Sequence, residues 1–205
     1  MIRNVVFDIG GVLLNLRYEP FIHFLREAGA DMSDLSAWIA RIDLAAHERG
    51  EISGQQMLER IAATARPGLD HGELQSRWLD MFEPAAPMFD LARGLMQDYR
   101  VYLLSNIGEM HWNYVDSRYG LGSLTHGALA SFRVGSAKPS REIYRQAERS
   151  FQLEPAATVF IDDLRDNVTA AQDCGWHAIV HYEADATRAD LQRLGVRLPP
   201  YAGHA

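Results

Sequence analysis

Apolar positions along the chain recur with two different periods, and the change from one to the other divides it. Val5-Val6-Phe7, followed by Asp8 and the turn Ile9-Gly10-Gly11, has the length and flanks of a buried central strand. From about Tyr18 to Pro84 the spacing turns helical. Phe21, Ile22, Phe24 and Leu25 share one face, as do Leu35, Trp38, Ile39 and Ile42. A third helix is expected to begin at Ser53, where Ser53-Gly54-Gln55-Gln56 has a capping-box pattern ahead of Met57, Leu58 and Ile61. A fourth is expected over roughly Gly72 to Phe82, stopped before Pro84. Four helices with no strand among them predict a helical insert.

Beyond Pro87 helix and strand alternate. A helix runs through Leu91 and Leu95, the strand Val101-Tyr102-Leu103-Leu104 ends at Ser105-Asn106, and Thr158-Val159-Phe160-Ile161 ends at Asp162-Asp163. A helix through Val168 and Ala171 is closed by Gly175 before a last strand, His177-Ala178-Ile179-Val180. This is the order of a parallel sheet with crossover helices. Three apolar strands then end in polar residues, and in a parallel sheet those ends lie on one edge, where ligands gather.

Composition excludes more than it selects. Hydrophobic residues make up 47% of the 205 positions and the net charge is -7, which disfavours nucleic acid and anionic membranes as partners. The single cysteine, Cys174, permits no intramolecular disulfide and suits a reducing cytoplasm. No Cys/His cluster suggests zinc. The apolar run Val5 to Leu16 is broken by Asp8 and is too short to span a bilayer. A cytoplasmic location is expected.

Taken singly, the polar strand ends have plainer readings. Asp8 before two glycines and Ser105-Asn106 are ordinary turn chemistry, and Lys138 in Gly135-Ser136-Ala137-Lys138-Pro139 reads equally well as a solvated loop lysine. Asp162-Asp163 is different, because adjacent carboxylates repel and a nearby cation is a natural remedy. Asp163 is the better candidate ligand, with Asp162 a direct or water-mediated partner.

In sequence order, FDIGGVL, LLSN, GSAKPSREIY and VFIDDLRDNVTAAQDCG resemble the four motifs of the haloacid dehalogenase (HAD) superfamily. More narrowly, the chain resembles members whose helical cap is inserted after the first motif. The resemblance covers essentially the whole chain. It implies an α/β fold: a Rossmann-like parallel-sheet core over residues 1–16 and 86–205 with an inserted α-helical cap over 17–85. It also implies an aspartyl-phosphate on Asp8, with Ser105, Asn106 and Lys138 holding the phosphoryl group. Magnesium (Mg2+) would sit among Asp8, the Gly10 carbonyl, Asp163 and Asp162, with Asn167 supporting that shell. The expected substrate is a small phosphorylated metabolite.

The informative departure is Gly10. Most phosphatases of this family carry a second Asp there, which protonates the leaving oxygen and later activates water. Glycine keeps the metal-binding carbonyl and loses the carboxyl. The expectation is a rate lowered by ~10²–10⁴-fold and a bias toward good leaving groups, as in anomeric sugar phosphates, acyl phosphates or phosphoanhydrides. Otherwise the cap supplies a substitute, and Ala46-His47-Glu48-Arg49-Gly50-Glu51 offers His47 or Glu48, although such a helix end is more ordinarily solvated. FDIGGVLLNL, HERGEIS and FIDDLRDN are also similar to a subgroup acting on α-glucose-1-phosphate, which supports a sugar phosphate.

Two alternatives are weighed against a phosphatase. A 2-haloacid dehalogenase would use the same Asp without metal, but such enzymes lack the acidic pair that stands here as Asp162-Asp163. A weakly active or non-catalytic phosphate-binding regulatory module is disfavoured by retention of Asp8, Ser105, Lys138 and Asp163. Arg17, Tyr18, Trp38 and Trp78 are candidate substrate contacts, though most of the aromatics suit helix packing. His111 and Trp112 border the expected pocket without an assigned role, and His126, His177 and His181 are expected to be structural or exposed.

Overall fold

The computed structural model describes residues 1–200. In chain order its elements are β1 (Asn4–Phe7), β2 (Leu14–Leu16), α1 (Glu19–Glu27), α2 (Leu35–Ile42), α3 (Leu44–Glu48), α4 (Gly54–Ala62) and α5 (His71–Leu79). There follow β3 (Phe82–Pro84), α6 (Ala86–Leu95), β4 (Arg100–Ser105), α7 (Glu109–Tyr119), β5 (Ala128–Ala130) and α8 (Ser131–Val134). The chain continues through α9 (Arg141–Phe151), β6 (Thr158–Asp162), α10 (Arg165–Asp173), β7 (His177–Val180) and α11 (Ala184–Arg193).

The centre is a five-stranded parallel sheet in the order β5-β4-β1-β6-β7. Side chains alternate across it, as the two-residue strand period requires. Val5, Phe7, Val101, Leu103, Val159 and Ile161 turn to one face beneath α6, α7 and α11. Val6, Tyr102, Leu104 and Phe160 turn to the other, beneath α9 and α10. This is the expected α/β architecture of a doubly covered parallel sheet.

Between β2 and β3 the helices α1 to α5 surround their own apolar cluster, which includes Phe21, Leu25, Trp38, Ile61, Leu74 and Trp78. The Ser53–Gln56 capping box starts α4 as expected. Three features depart from expectation. Phe82–Pro84 is not the end of a helix; it pairs antiparallel with Leu14–Leu16 as a short ribbon, and α5 stops at Leu79. A fifth helix, α3, lies among the four expected ones, and β5 adds an edge strand to the sheet. These are pieces of three to five residues, too short to print a period on the sequence.

The helical segment is tied down over the carboxyl edge of the sheet. Tyr119 donates its hydroxyl to the Phe82 carbonyl at 2.6 Å, and Ser131 donates to the Glu48 carbonyl at 2.5 Å. Among the described residues, no helix is long and apolar enough to cross a membrane.

Candidate active site

Because β4, β1 and β6 are adjacent and parallel, with Phe7 level with both Leu103 and Ile161, their ends emerge together. Asp8 follows β1, Ser105 ends β4 and Asp162 ends β6. Lys138 arrives from the loop between α8 and α9. Its ammonium lies 2.9 Å from Asp8 Oδ1 and 2.6 Å from Asp162 Oδ2, with the side chain only 1% exposed. Asn106 fixes that loop from both sides: its amide nitrogen donates to the Lys138 carbonyl and its oxygen accepts from the Lys138 N–H, both at 2.8 Å. The Asn106 side chain thus holds the lysine. Ser105 is buried and, among the described residues, its hydroxyl makes no hydrogen bond, so it remains available at the cavity it lines.

The two acids of the fourth motif differ sharply. Asp162 is fully buried and its oxygens are well supplied: besides Lys138, it accepts from the Leu164 N–H at 2.8 Å and from the Asn167 amide at 2.9 and 3.1 Å. An amide at 167 can donate to Asp162 where a carboxylate would repel it. Asp163 is half-buried with no such set of donors, and burial and the neighbouring Asp162 raise its pKa. Gly11 makes room for it. At φ 74°, Gly11 occupies a backbone region that favours glycine, and a Cβ there would fall 2.4 Å from Asp163 Oδ2.

Asp8, Asp162 and Asp163 each offer an oxygen within 4.8 Å of the others. Against Lys138 alone, these three carboxylates leave a formal excess of two negative charges. No hydrogen bond to the Gly10 carbonyl is found among the described residues. Oxygen donors with an excess of negative charge suit a hard dication, so the residues present fit magnesium. The balance is also visible in the acids and the base themselves. Burial pushes Asp8 up to about 6, with Lys138 opposing and Asp162 reinforcing the rise. Burial pulls Lys138 down, but Asp8 and Asp162 more than restore it, and the ammonium stays charged.

Above the strand ends, residues of β2, α3, α5 and α7 enclose a cavity of about 100 Å³ that reaches Gly10 and Ser105. The place where a larger residue 10 would project is taken by Leu16, whose Cδ1 is 3.3 Å from a Cβ built there. Of the two candidate substitutes on α3, Glu48 lines this cavity and feels both Lys138 and Asp8; burial pushes its carboxyl up to about 7. Tyr18 stands near Glu48, Asp163 and Asp8, and burial and those charges push its phenol up to about 12. His47 is 1% exposed, and its Nδ1 meets the Ile52 carbonyl at 3.2 Å.

The strand ends therefore gather Asp8, Gly10, Ser105, Asn106, Lys138, Asp162 and Asp163 in one place, with Glu48, His47, Tyr18, Trp78 and His111 facing them. Trp38 is elsewhere, bonded to Thr64 in the helical core, and Trp112 packs under Arg133. Arg17 is exposed near Glu83. His126 accepts the Val101 N–H, His181 bonds Thr187 and His177 is exposed. The sequence pattern left Gly11, Gly108 and Ser131 unmarked. Gly11 was legible in part as the second glycine of the turn, but Ser131 carried no signal, since it acts through contacts with Glu48 and Ile107 that only the fold creates.

Comparison with known proteins places these observations. The family model described as haloacid dehalogenase-like hydrolase matches residues 2–175. A D-ribitol-5-phosphate phosphatase of Bacteroides thetaiotaomicron is 25% identical over 86% of this chain and 90% of its own. A sesquiterpene phosphatase of Aspergillus oryzae is 27% identical over 94% of this chain and 96% of its own. In three dimensions, a HAD-family enzyme of Bacteroides thetaiotaomicron in complex with magnesium and inorganic phosphate superposes with a TM-score of 0.80. It is 25% identical, with 89% of this chain and 95% of that one covered.

Proposed function

We propose, for a chain that belongs to the haloacid dehalogenase-like hydrolase family, a magnesium-dependent phosphatase that cleaves small phosphate monoesters through an aspartyl-phosphate on Asp8. The observation that carries this reading is the charge excess at the strand ends, where Asp8, Asp162 and Asp163 outnumber Lys138. Displacing halide from carbon has no use for that excess, which argues against a dehalogenase. Phosphoryl transfer does, because a dianion must approach a carboxylate.

Asp8, the Gly10 carbonyl and Asp163 would hold the metal, with Asp162 reaching it directly or through water. Bound there, magnesium supplies positive charge to the phosphoryl oxygens and favours the ionised form of Asp8. Lys138 and Ser105 orient the phosphoryl group, and Asn106 keeps Lys138 in register. Asp8 attacks phosphorus, the bond to the leaving oxygen breaks, and that oxygen takes a proton from Glu48. The Glu48 carboxylate then draws a proton from water as it attacks phosphorus, releasing phosphate and free Asp8. Glu48 is favoured over His47 for this task because burial holds its proton to near-neutral pH, whereas burial lowers the pKa of His47. The helical segment 17–85 acts as the cap that excludes water from the reacting groups.

The test is phosphate release from sugar, acyl and nucleotide phosphates, with and without magnesium, alongside Asp8→Asn. Release is expected to require both the metal and Asp8. Release that survives Asp8→Asn, or metal-free chloride release from 2-chloropropionate, overturns the reading.

A further inference from the structure

The helix that carries Glu48 is too short to place itself. Leu44–Glu48 is five residues long, well under the ~12–15 residues at which an isolated helix becomes even marginal, so its position is set by what it packs against. Within the helical segment, Ala46 is buried and His47 meets the Ile52 carbonyl. The remaining contacts are with the sheet side, and they are close.

The Glu48 carbonyl is the last of α3 and so has no donor inside that helix; it accepts from Ser131 Oγ at 2.5 Å. The same oxygen accepts from the Ile107 N–H at 2.9 Å and lies 3.3 Å from the Ile107 carbonyl. A hydroxyl has one hydrogen to give, and the shorter contact takes it. Ser131 is fully buried, so both bonds are out of reach of solvent. Beyond Glu48, Gly50 lies against the main chain of Phe132. At φ 72° it occupies a region that favours glycine, and a Cβ there would fall 2.4 Å from the Phe132 carbonyl oxygen. On the other side of α3, a Cβ at Gly108 would come 2.1 Å from His47 Nε2.

These contacts join α3 to the floor through a short run of main chain. Ile107 and Gly108 directly follow Asn106, whose side chain grips Lys138. Ser131 directly follows β5, which pairs with β4 at Ser105. One buried hydroxyl thus bridges the loop that holds the phosphoryl group and the residue that carries the acid. The Glu48 carboxyl feels Lys138 and Asp8 but makes no hydrogen bond among the described residues. Its aim therefore depends on where its backbone is held.

We infer that Ser131 is a positioning residue for proton transfer: through the Glu48 carbonyl, and with the close approach that Gly50 permits, it sets where the Glu48 carboxyl stands over Asp8. This deepens the phosphatase reading and rests on Glu48 as its acid. Small shifts matter at such a point, since misplacing a reacting group by about 1 Å can cost on the order of 10²-fold in rate.

The experiment measures kcat/KM for propyl, phenyl and p-nitrophenyl phosphates, using the full chain with magnesium. It compares the parent with Ser131→Ala, Gly50→Ala, Glu48→Gln and the double variant of Ser131→Ala and Glu48→Gln. Ser131→Ala and Gly50→Ala are each expected to lower the ratio of the propyl to the p-nitrophenyl value by ~10-fold, with phenyl between them. Lost packing alone would lower all three esters alike. In the Glu48→Gln background, Ser131→Ala should change the ratio no further, because both act on one proton transfer. Circular dichroism checks that each variant folds, and either of Ser131→Ala and Gly50→Ala carries the test should the other fail. A ratio unchanged in the folded variants, or a full further fall in the double variant, overturns the proposal and leaves Glu48 as the acid. A ratio unchanged in Glu48→Gln overturns the proposal together with that role, while magnesium-dependent, Asp8-dependent release still upholds the phosphatase. Absence of such release from every ester overturns all of them.

Discussion

On the sheet side of the site, nearly every charged group answers to a named partner. Lys138 lies between Asp8 and Asp162, Asp162 is held by Leu164 and Asn167, and Asn106 grips the lysine's own backbone. On the helical side the polar groups are under-bonded: among the described residues His47 Nε2 has no hydrogen-bond partner, and the half-buried Glu48 is joined to the sheet side through its main-chain carbonyl, which accepts from Ser131. A rigid, hydrogen-bonded floor suits a group that never changes, the phosphoryl. The roof lines the cavity above the strand ends, where the part of the substrate that distinguishes one ester from another would sit. The two sides therefore make different demands on mutation.

The largest effect is expected at Asp8. Asp8→Asn should lose turnover by on the order of 10⁴-fold or more, yet gain stability. Burial raises the Asp8 carboxyl from 3.8 to about 6, so the folded protein holds that proton more tightly than the unfolded chain. Metal-free stability is then fullest below the unfolded value and declines as pH rises from about 4 to about 6. Asparagine escapes that decline. At pH 7 without metal the variant should melt above the parent, the two converging below pH 4; a lower midpoint at pH 7 would contradict the account.

Lys138→Met should cost stability instead, by about 3–5 kcal/mol at pH 8, because it leaves two buried carboxylates without their cation. Acid is expected to shrink the deficit as Asp8 takes up its proton below about 6. Urea melts at pH 4 and pH 8 read the difference directly, and a deficit independent of pH would place the loss in packing.

Glu48→Gln tests the roof. For alkyl and polyol phosphates kcat/KM, which reports the first step, should fall by ~10²–10⁴-fold, with far less loss in kcat/KM on p-nitrophenyl phosphate, whose leaving group needs no proton; kcat falls on both, because Glu48 also serves the water step. A general acid works in its protonated form, so the parent's kcat/KM should fall as pH climbs past about 7, and that limb should vanish in the variant. Equal losses on both ester classes would remove Glu48 from proton transfer. Smallest is Ser131→Ala, which deletes the bonds to Glu48 and Ile107. It should cost about 1 kcal/mol and lower kcat on poor leaving groups more than on p-nitrophenyl phosphate.

The same contrast decides what could be read from the sequence. The floor was legible because strand ends, glycine turns and acidic pairs are local patterns, and a parallel sheet brings its strand ends together whatever the details. The doubly covered sheet and the helical stretch followed from periodicity alone. The ribbon Leu14–Leu16 with Phe82–Pro84, the five-residue α3 and the edge strand Ala128–Ala130 did not, since each is stabilised by pairing and packing with distant residues. His47 and Glu48 could be named as candidates. Their placement, and that of His111 on the same cavity, depends on how the helical segment packs onto α7. Gly10 illustrates both sides: its missing carboxyl was plain in the sequence, while the leucine that occupies the space, Leu16, was not.

Whether Asp8 itself carries the phosphoryl group is read by rapid acid quench during turnover with magnesium, followed by mass spectrometry of the peptide containing Asp8. A peptide heavier by one phosphoryl group is expected, with the added mass localised to Asp8, absent without magnesium and absent in Asp8→Asn. Steady phosphate release with that peptide unmodified at every quench time would contradict it.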